Sequence, residues 1–344
     1  MNPGFQTILD EIESLYRHQS MFYQELVQNH PNLCQFFDSY QPSILKKFRN
    51  AHDEEKKRDI IAELNVVCLI AMANNRLQIQ RGPNVNSSKK NPEFKLISKN
   101  EEYYCEVKRL RDSPQTLTMF DAYKELEEEI KKTHSGLGFQ LTNPDIGYTE
   151  DYAEKFHRAL PQLIHEARHQ ISKAGKSLSK GGSIEYTFSS FPDLMLILID
   201  LPEKPEDSPT SHFGGAQPVL YRQNEHLKIR SRIIQAAQQL EQNEIGIVFL
   251  QNDSETVEEF DLYYAMKSIC EVANRTIQYR PIEKIESLDE YRSIVARVSE
   301  IVLYRFVPGR LEVIENISNP LAHKKSNKAL HDLISKFPKV RPFI

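Results

Sequence analysis

Three glutamates and one lysine in this chain are placed so that they could hold a divalent cation beside a water-activating amine. The run Tyr103-Tyr104-Cys105-Glu106-Val107-Lys108 reads as a strand, in which successive side chains alternate between faces. Tyr103, Cys105 and Val107 share one face, and Tyr104, Glu106 and Lys108 share the other. A carboxylate and an ammonium two positions apart on one face can bind a hard cation and set an amine next to a cation-bound water. The preceding strand, Pro92-Glu93-Phe94-Lys95-Leu96-Ile97, turns at Lys99-Asn100 and brings in Glu93 at its start. Glu63 lies inside the apolar stripe Ile60, Ile61, Leu64, Val67, Cys68, Ile70 and Ala71 of a helix expected over 58–74. A carboxylate there is costly to bury unless it is paired, hydrogen-bonded or cation-bound.

The elements that must position these groups follow from periodicity. Helical spacing covers 3–30, a charged helical stretch covers 41–57, and a short strand is expected at Leu77–Gln80. The polar segment from Arg81 to Pro92 is too rich in turn formers to be regular. Beyond the hairpin, helices are expected near 120–132 and 150–174, with strands at Leu137–Leu141, Ile184–Phe188 and Leu194–Ile199. Pro202 to Pro218 reads as a surface loop. A helix over 226–242 buries Ile229, Ile233, Ala236, Ala237 and Leu240 and presents Lys228, Arg232, Gln235 and Gln239 on another face. A strand at Ile245–Gln251, helices near 256–272 and 287–295, a strand at Ile301–Phe306 and a helix near 326–336 complete the chain.

At 344 residues the chain can bury a sizeable core. Its net charge of −4 gives no global attraction to nucleic acid, so any such contact needs local basic patches. Cys34, Cys68, Cys105 and Cys270 form no CxxC pair, which favours reduced, buried thiols and a cytoplasmic setting over a zinc site. No apolar run of membrane-spanning length and no signal peptide is read, so no membrane partner is expected. His165 and His169 stand four apart but lack an HExxH pattern, and no P-loop, GxGxxG or GxSxG is present.

The order of helix with Glu63, strand, strand with Glu93, strand with Glu106 and Lys108, insertion, helix and strand resembles the PD-(D/E)XK, or restriction-endonuclease-like, nuclease superfamily. Pro92-Glu93 matches its first acidic motif, with glutamate where most members carry aspartate, and Glu106-Val107-Lys108 matches the second. Glu63 matches the carboxylate of the first core helix, and Gln235 or Gln239 the glutamine of a later one. The resemblance covers roughly 58–110 and 226–251. It implies an α/β fold with a central mixed sheet flanked by helices, an N-terminal helical extension over 1–57, and a nuclease-like domain over 58–344 with an insertion at about 111–225. It also implies a nuclease using Mg²⁺ or Mn²⁺ on DNA. Glu93, Glu106 and the Val107 carbonyl, with Glu63, would be the ligands. Lys108 would assist the water, and Gln239 would hold a ligand or a phosphate.

Plainer readings stand beside these. Glu106 and Lys108 could be an ion pair at a strand end, Glu93 a solvent-facing residue, and Glu63 a carboxylate paired with a nearby cation. Lys173, Lys176 and Lys180, and Lys324, Lys325 and Lys328, are either phosphate contacts or ordinary solubilising lysines. A catalytically silent member that binds nucleic acid or a protein, and an unrelated α/β interaction protein, are the rival functions. Oligomerisation is left open.

Overall fold

The computed structural model describes residues 3–339 except 17–18, 75–76, 83–91, 99–100, 113, 134–136, 143–150, 178–180, 193, 201–210, 213–224, 255–256, 280–283 and 308. Most of the polar loop after Arg81, the Lys99-Asn100 turn, Lys180 and most of the 202–218 loop lie outside the described residues.

The chain divides into one unit of Met1–Arg111 with Glu225–Ile344 and a second of Asp112–Asn224. In the first, α1 (Pro3–Leu15), α2 (Ser20–Asn29), α3 (Pro31–Asn50) and α4 (Glu54–Ala73) precede the sheet. The expected helix over 3–30 is therefore two helices. The next starts ten residues before the expected 41, because extended His30 and Pro31 at the first turn make a clean start. Asp53 caps α4 by accepting the Lys56 N–H at 2.7 Å.

The sheet has the order β1-β2-β3-β8-β9-β10, with β1 (Gln78–Arg81), β2 (Phe94–Ser98), β3 (Glu101–Leu110), β8 (Ile245–Asn252), β9 (Val298–Val307) and β10 (Arg310–Ser318). Its outer pairs are antiparallel, while β3, β8 and β9 run parallel, so the sheet is mixed as expected. The β8 strand is buried over seven of its eight residues, as suits a central parallel strand covered on both faces. One face packs on α1–α4 through Tyr103, Cys105, Val107, Ile247 and Phe249. The other packs on α7 (Glu225–Ala237), α8 (Glu259–Ala273) and α9 (Leu288–Val295) through Tyr104, Leu110, Val248 and Leu250. The period-two alternation read along β3 is thus the division between two cores. A final helix, α10 (Lys328–Ile334), joins the first of them.

The insertion expected at about 111–225 corresponds to the second unit, Asp112–Asn224, while residues 1–57 belong to the first. Phe5, Ile8, Leu33, Phe36, Phe37 and Phe48 share one continuous core with α4 and the sheet. The insertion is a compact unit of its own, with α5 (Pro114–Lys131), α6 (Asp151–Ser177) and the sheet β5-β6-β4-β7, made of β4 (Leu137–Thr142), β5 (Ser183–Thr187), β6 (Met195–Asp200) and β7 (Ser211–His212). Leu126, Ile130, Phe139, Phe156, Leu163 and Leu198 form its core. Among the described residues no helix is long and apolar enough to cross a membrane.

Candidate functional site

The site arises where β3 outruns its neighbour. Pairing of β2 with β3 stops at Phe94 opposite Cys105, yet β3 continues to Leu110 with only β8 beside it. Glu93, just before β2, donates its backbone N–H to the Glu106 carboxylate (Oε2) at 3.3 Å. A side chain thus takes a backbone donor where the β2–β3 pairing has ended. The uncovered stretch opens onto a cavity of about 300 Å³ lined by Asp59, Ala62, Glu63, Glu93, Val107, Lys108, Arg109, Arg111 and Arg232.

Glu106 is fully buried, and its Oε1 accepts from the Lys108 ammonium at 2.5 Å. Burial pushes its carboxyl up to about 7, and the charge of Glu93 adds to that push. The Lys108 charge and the Glu93 N–H oppose it. Glu63 is also held above the ordinary carboxylate range, first by burial and then by Glu93. Its oxygens accept from Lys47 at 2.9 Å and from Arg81 at 2.7 Å. Lys47 reaches Glu93 as well, at 3.0 Å, so one ammonium from α3 bridges two of the carboxylates.

The structure brings Glu63, Glu93, Val107 and Lys108 to the cavity wall and ties the buried Glu106 to both Glu93 and Lys108. It does not bring Gln239 there. The helix α7 ends at Ala237 rather than continuing to 242, and Gln239 closes a tight turn through its N–H to Ala236. Its amide bonds the Gln235 carbonyl at 3.5 Å, and it is not part of the cavity wall. Arg232, two turns earlier on the same stripe, reaches the wall instead and bonds Gln235 at 2.9 Å. Lys173 lies in the second unit, Lys324 pairs with Glu244, and Lys325 and Lys328 lie away from the cavity wall.

Sequence reasoning missed Lys47, Arg81, Arg109 and Arg111. A partner for Glu63 was implied by its cost of burial, but which cation supplied it depends on contacts across 16 and 18 residues. Arg109 is nearly buried and bonds Asp253 at 2.6 Å and Asp59 at 3.1 Å. It joins a polar chain that runs into the core. Asp253 takes the Gln251 amide, Gln251 takes the Asn65 amide, and the Asn65 oxygen takes the Tyr23 hydroxyl.

Among the described residues no three His, Cys, Asp or Glu side chains are gathered as a metal site. Glu63 accepts from two cations, whereas Glu93 and Glu106 meet one each. Mg²⁺ characteristically takes one or two carboxylates and completes its shell with waters and substrate phosphates. Two hard oxygen donors, one of them raised by burial, fit that requirement. The chain matches no protein-family model, no curated protein and no solved structure, so the superfamily resemblance rests on these residues and the order of the elements.

Proposed function

We propose that this protein is a metal-dependent nuclease of the restriction-endonuclease-like kind, hydrolysing phosphodiester bonds in DNA. The observation that carries the reading is the meeting of Glu93, Glu106 and Lys108 at the uncovered end of β3, where Glu93 and Lys108 line a cavity with Arg109, Arg111 and Arg232 and Glu106 lies buried behind them. Glu93, Glu106 and the Val107 carbonyl would hold Mg²⁺ or Mn²⁺. Such an ion, when bound, lowers the pKa of a water and polarises the phosphate. Lys108, one-fifth exposed and anchored on Glu106, presents its ammonium to the cavity. There it orients the attacking water and offsets charge that grows on the phosphate oxygens. Arg232 and Arg111 supply guanidinium groups suited to phosphate. Glu63 keeps Lys47 and Arg81 in place and acts as a positioning residue.

A second reading is a silent module that binds nucleic acid or protein. It draws on the ion pairing, since Lys47 and Lys108 already neutralise the carboxylates. The deciding experiment incubates plasmid, linear duplex, single-stranded and branched DNA, and RNA with Mg²⁺, Mn²⁺ or EDTA. Wild type is compared with Lys108→Ala and Glu106→Gln. Metal-dependent cutting that both substitutions abolish is expected. No cutting of any substrate, together with no Mn²⁺ binding by calorimetry, refutes the nuclease and leaves the silent module.

A further inference from the structure

A second groove, of about 430 Å³, shares Asp59 and Glu63 with the carboxylate cavity and runs between the end of α3 and the start of α4. Lys46, Lys47, Asn50 and Lys56 line it. Its acidic residues are already matched: Asp59 accepts from Arg109 at 3.1 Å, and Glu63 from Lys47 and Arg81. Its lysines are not all matched. Lys46 is exposed and has no ion-pair partner among the described residues. Lys56 meets Asp53 at 3.4 Å with both side chains more than half exposed, a contact worth little in water. Lys46 and Asn50 stand about one helical turn apart on α3, about 6 Å along its axis. The groove therefore carries surplus positive charge and an amide donor, beside a cavity also lined by Arg111 and Arg232.

We infer that this lysine groove binds the phosphate backbone of a polynucleotide alongside the bond to be cut. The substrate would be a strand extending through the site rather than a mononucleotide or small phosphoester. The inference rests on the nuclease reading for its placement, but binding tests it separately from cleavage.

The experiment measures fluorescence anisotropy of labelled duplex and single-stranded 20-mers in EDTA, over a series of salt concentrations. Wild type is compared with the double variant Lys46→Ala/Lys56→Ala and with a charge-matched control, Lys267→Ala/Lys336→Ala. Thermal melting verifies that both variants fold. The groove variant should bind about tenfold more weakly at 0.1 M salt, with a log–log salt slope shallower by about 1.4 to 1.8. The control should bind as wild type does.

Equal loss in both double variants would reduce the effect to net charge and overturn the inference. So would unchanged binding and slope in the groove variant, even if Lys108→Ala abolishes cutting. Loss confined to the groove variant in a protein that cuts nothing would retain the groove as a polynucleotide site and discard the nuclease.

Discussion

Glu106→Gln should lift a pH-dependent penalty that the wild-type chain carries at the end of β3. The carboxyl is pushed from its ordinary 4.5 to about 7 in the folded protein, mainly by burial, while in the unfolded chain it titrates near the ordinary value. Between these values the folded state keeps the proton and the unfolded state has lost it. Stability therefore falls as pH rises from 4.5 toward 7, and above 7 the full penalty of about 3 kcal/mol persists. Urea denaturation at pH 5 and pH 8 reads this directly. From pH 5 to pH 8 the variant should gain on wild type by about 2–3 kcal/mol, because glutamine does not ionise. The single amide oxygen of glutamine can accept from Lys108 or from the Glu93 N–H but not from both, so its cost at low pH is the loss of one hydrogen bond, about 1 kcal/mol. Groups held low, such as Glu166 at about 2, change stability mainly below pH 4.5 and are common to both proteins. Parallel stability curves for wild type and variant across pH 5–8 would refute the reasoning, since Glu106 could then not be the raised, buried acid at the cavity.

The remaining predictions concern the groups around it. Lys47→Met removes the ammonium bridging Glu63 and Glu93, so Mn²⁺ should bind more tightly and raise the variant's melting temperature more than wild type's. At a hundred times its Kd the ion would stabilise the protein by about 2.7 kcal/mol, and equal shifts in the two proteins would contradict the prediction. Arg109→Met leaves the largely buried Asp253 without its guanidinium partner, while Asp59 stays exposed to solvent, and should cost about 1–3 kcal/mol in urea unfolding. Gly246→Ala would place a Cβ 2.3 Å from the Arg297 carbonyl oxygen and 2.8 Å from Leu240, forcing β8 from its neighbour at a cost of about 1–3 kcal/mol. A melting temperature unchanged in that variant would show that the β8 edge yields more easily than its packing implies.

The parts of the site on regular local pattern were legible in the sequence, and the parts supplied from afar were not. Alternation along Tyr103–Lys108 located both faces of β3, because a strand between two cores must divide its side chains between them. Glu63 stood out as a charge within an apolar stripe, and it is buried and paired as its cost demands. Its partners come from α3 and β1, and nothing local in the sequence distinguishes Lys47 from Lys46 beside it. The overlong reading of α7 has a specific cause. Gln238 and Gln239 favour helix and no Gly or Pro follows them, yet the chain tightens after Ala237 so that Leu240 can enter the core. The β10 strand went unread because its alternation is short and is broken by a register shift between Val313 and Glu315. The turn before it was marked by Gly309 at φ 77°.

Charge balance bears on both functional readings. Glu63, Glu93 and Glu106 bring three negative charges to one end of the sheet, where their mutual repulsion and burial raise two of them. Without counter-charges the cluster would unfold that end or remain protonated. Lys47, Arg81 and Lys108 supply those charges, so the fold is stable before any ion arrives. The pairing is unequal, however. Arg81 is nearly buried, whereas Lys47 is 42% exposed and can swing into solvent at little cost. Lys108 meets Glu106 through one oxygen only, and the other takes the Glu93 N–H. A divalent ion on Glu93 and Glu106 would therefore displace Lys47 from Glu93 and either Lys108 or the Glu93 N–H from Glu106, and Lys47 leaving Glu93 would carry its charge toward the lysine groove it also lines. On the nuclease reading, metal binding and phosphate binding then support each other. On the silent reading Lys47 stays where it is, and Lys47→Met costs stability that no divalent ion restores.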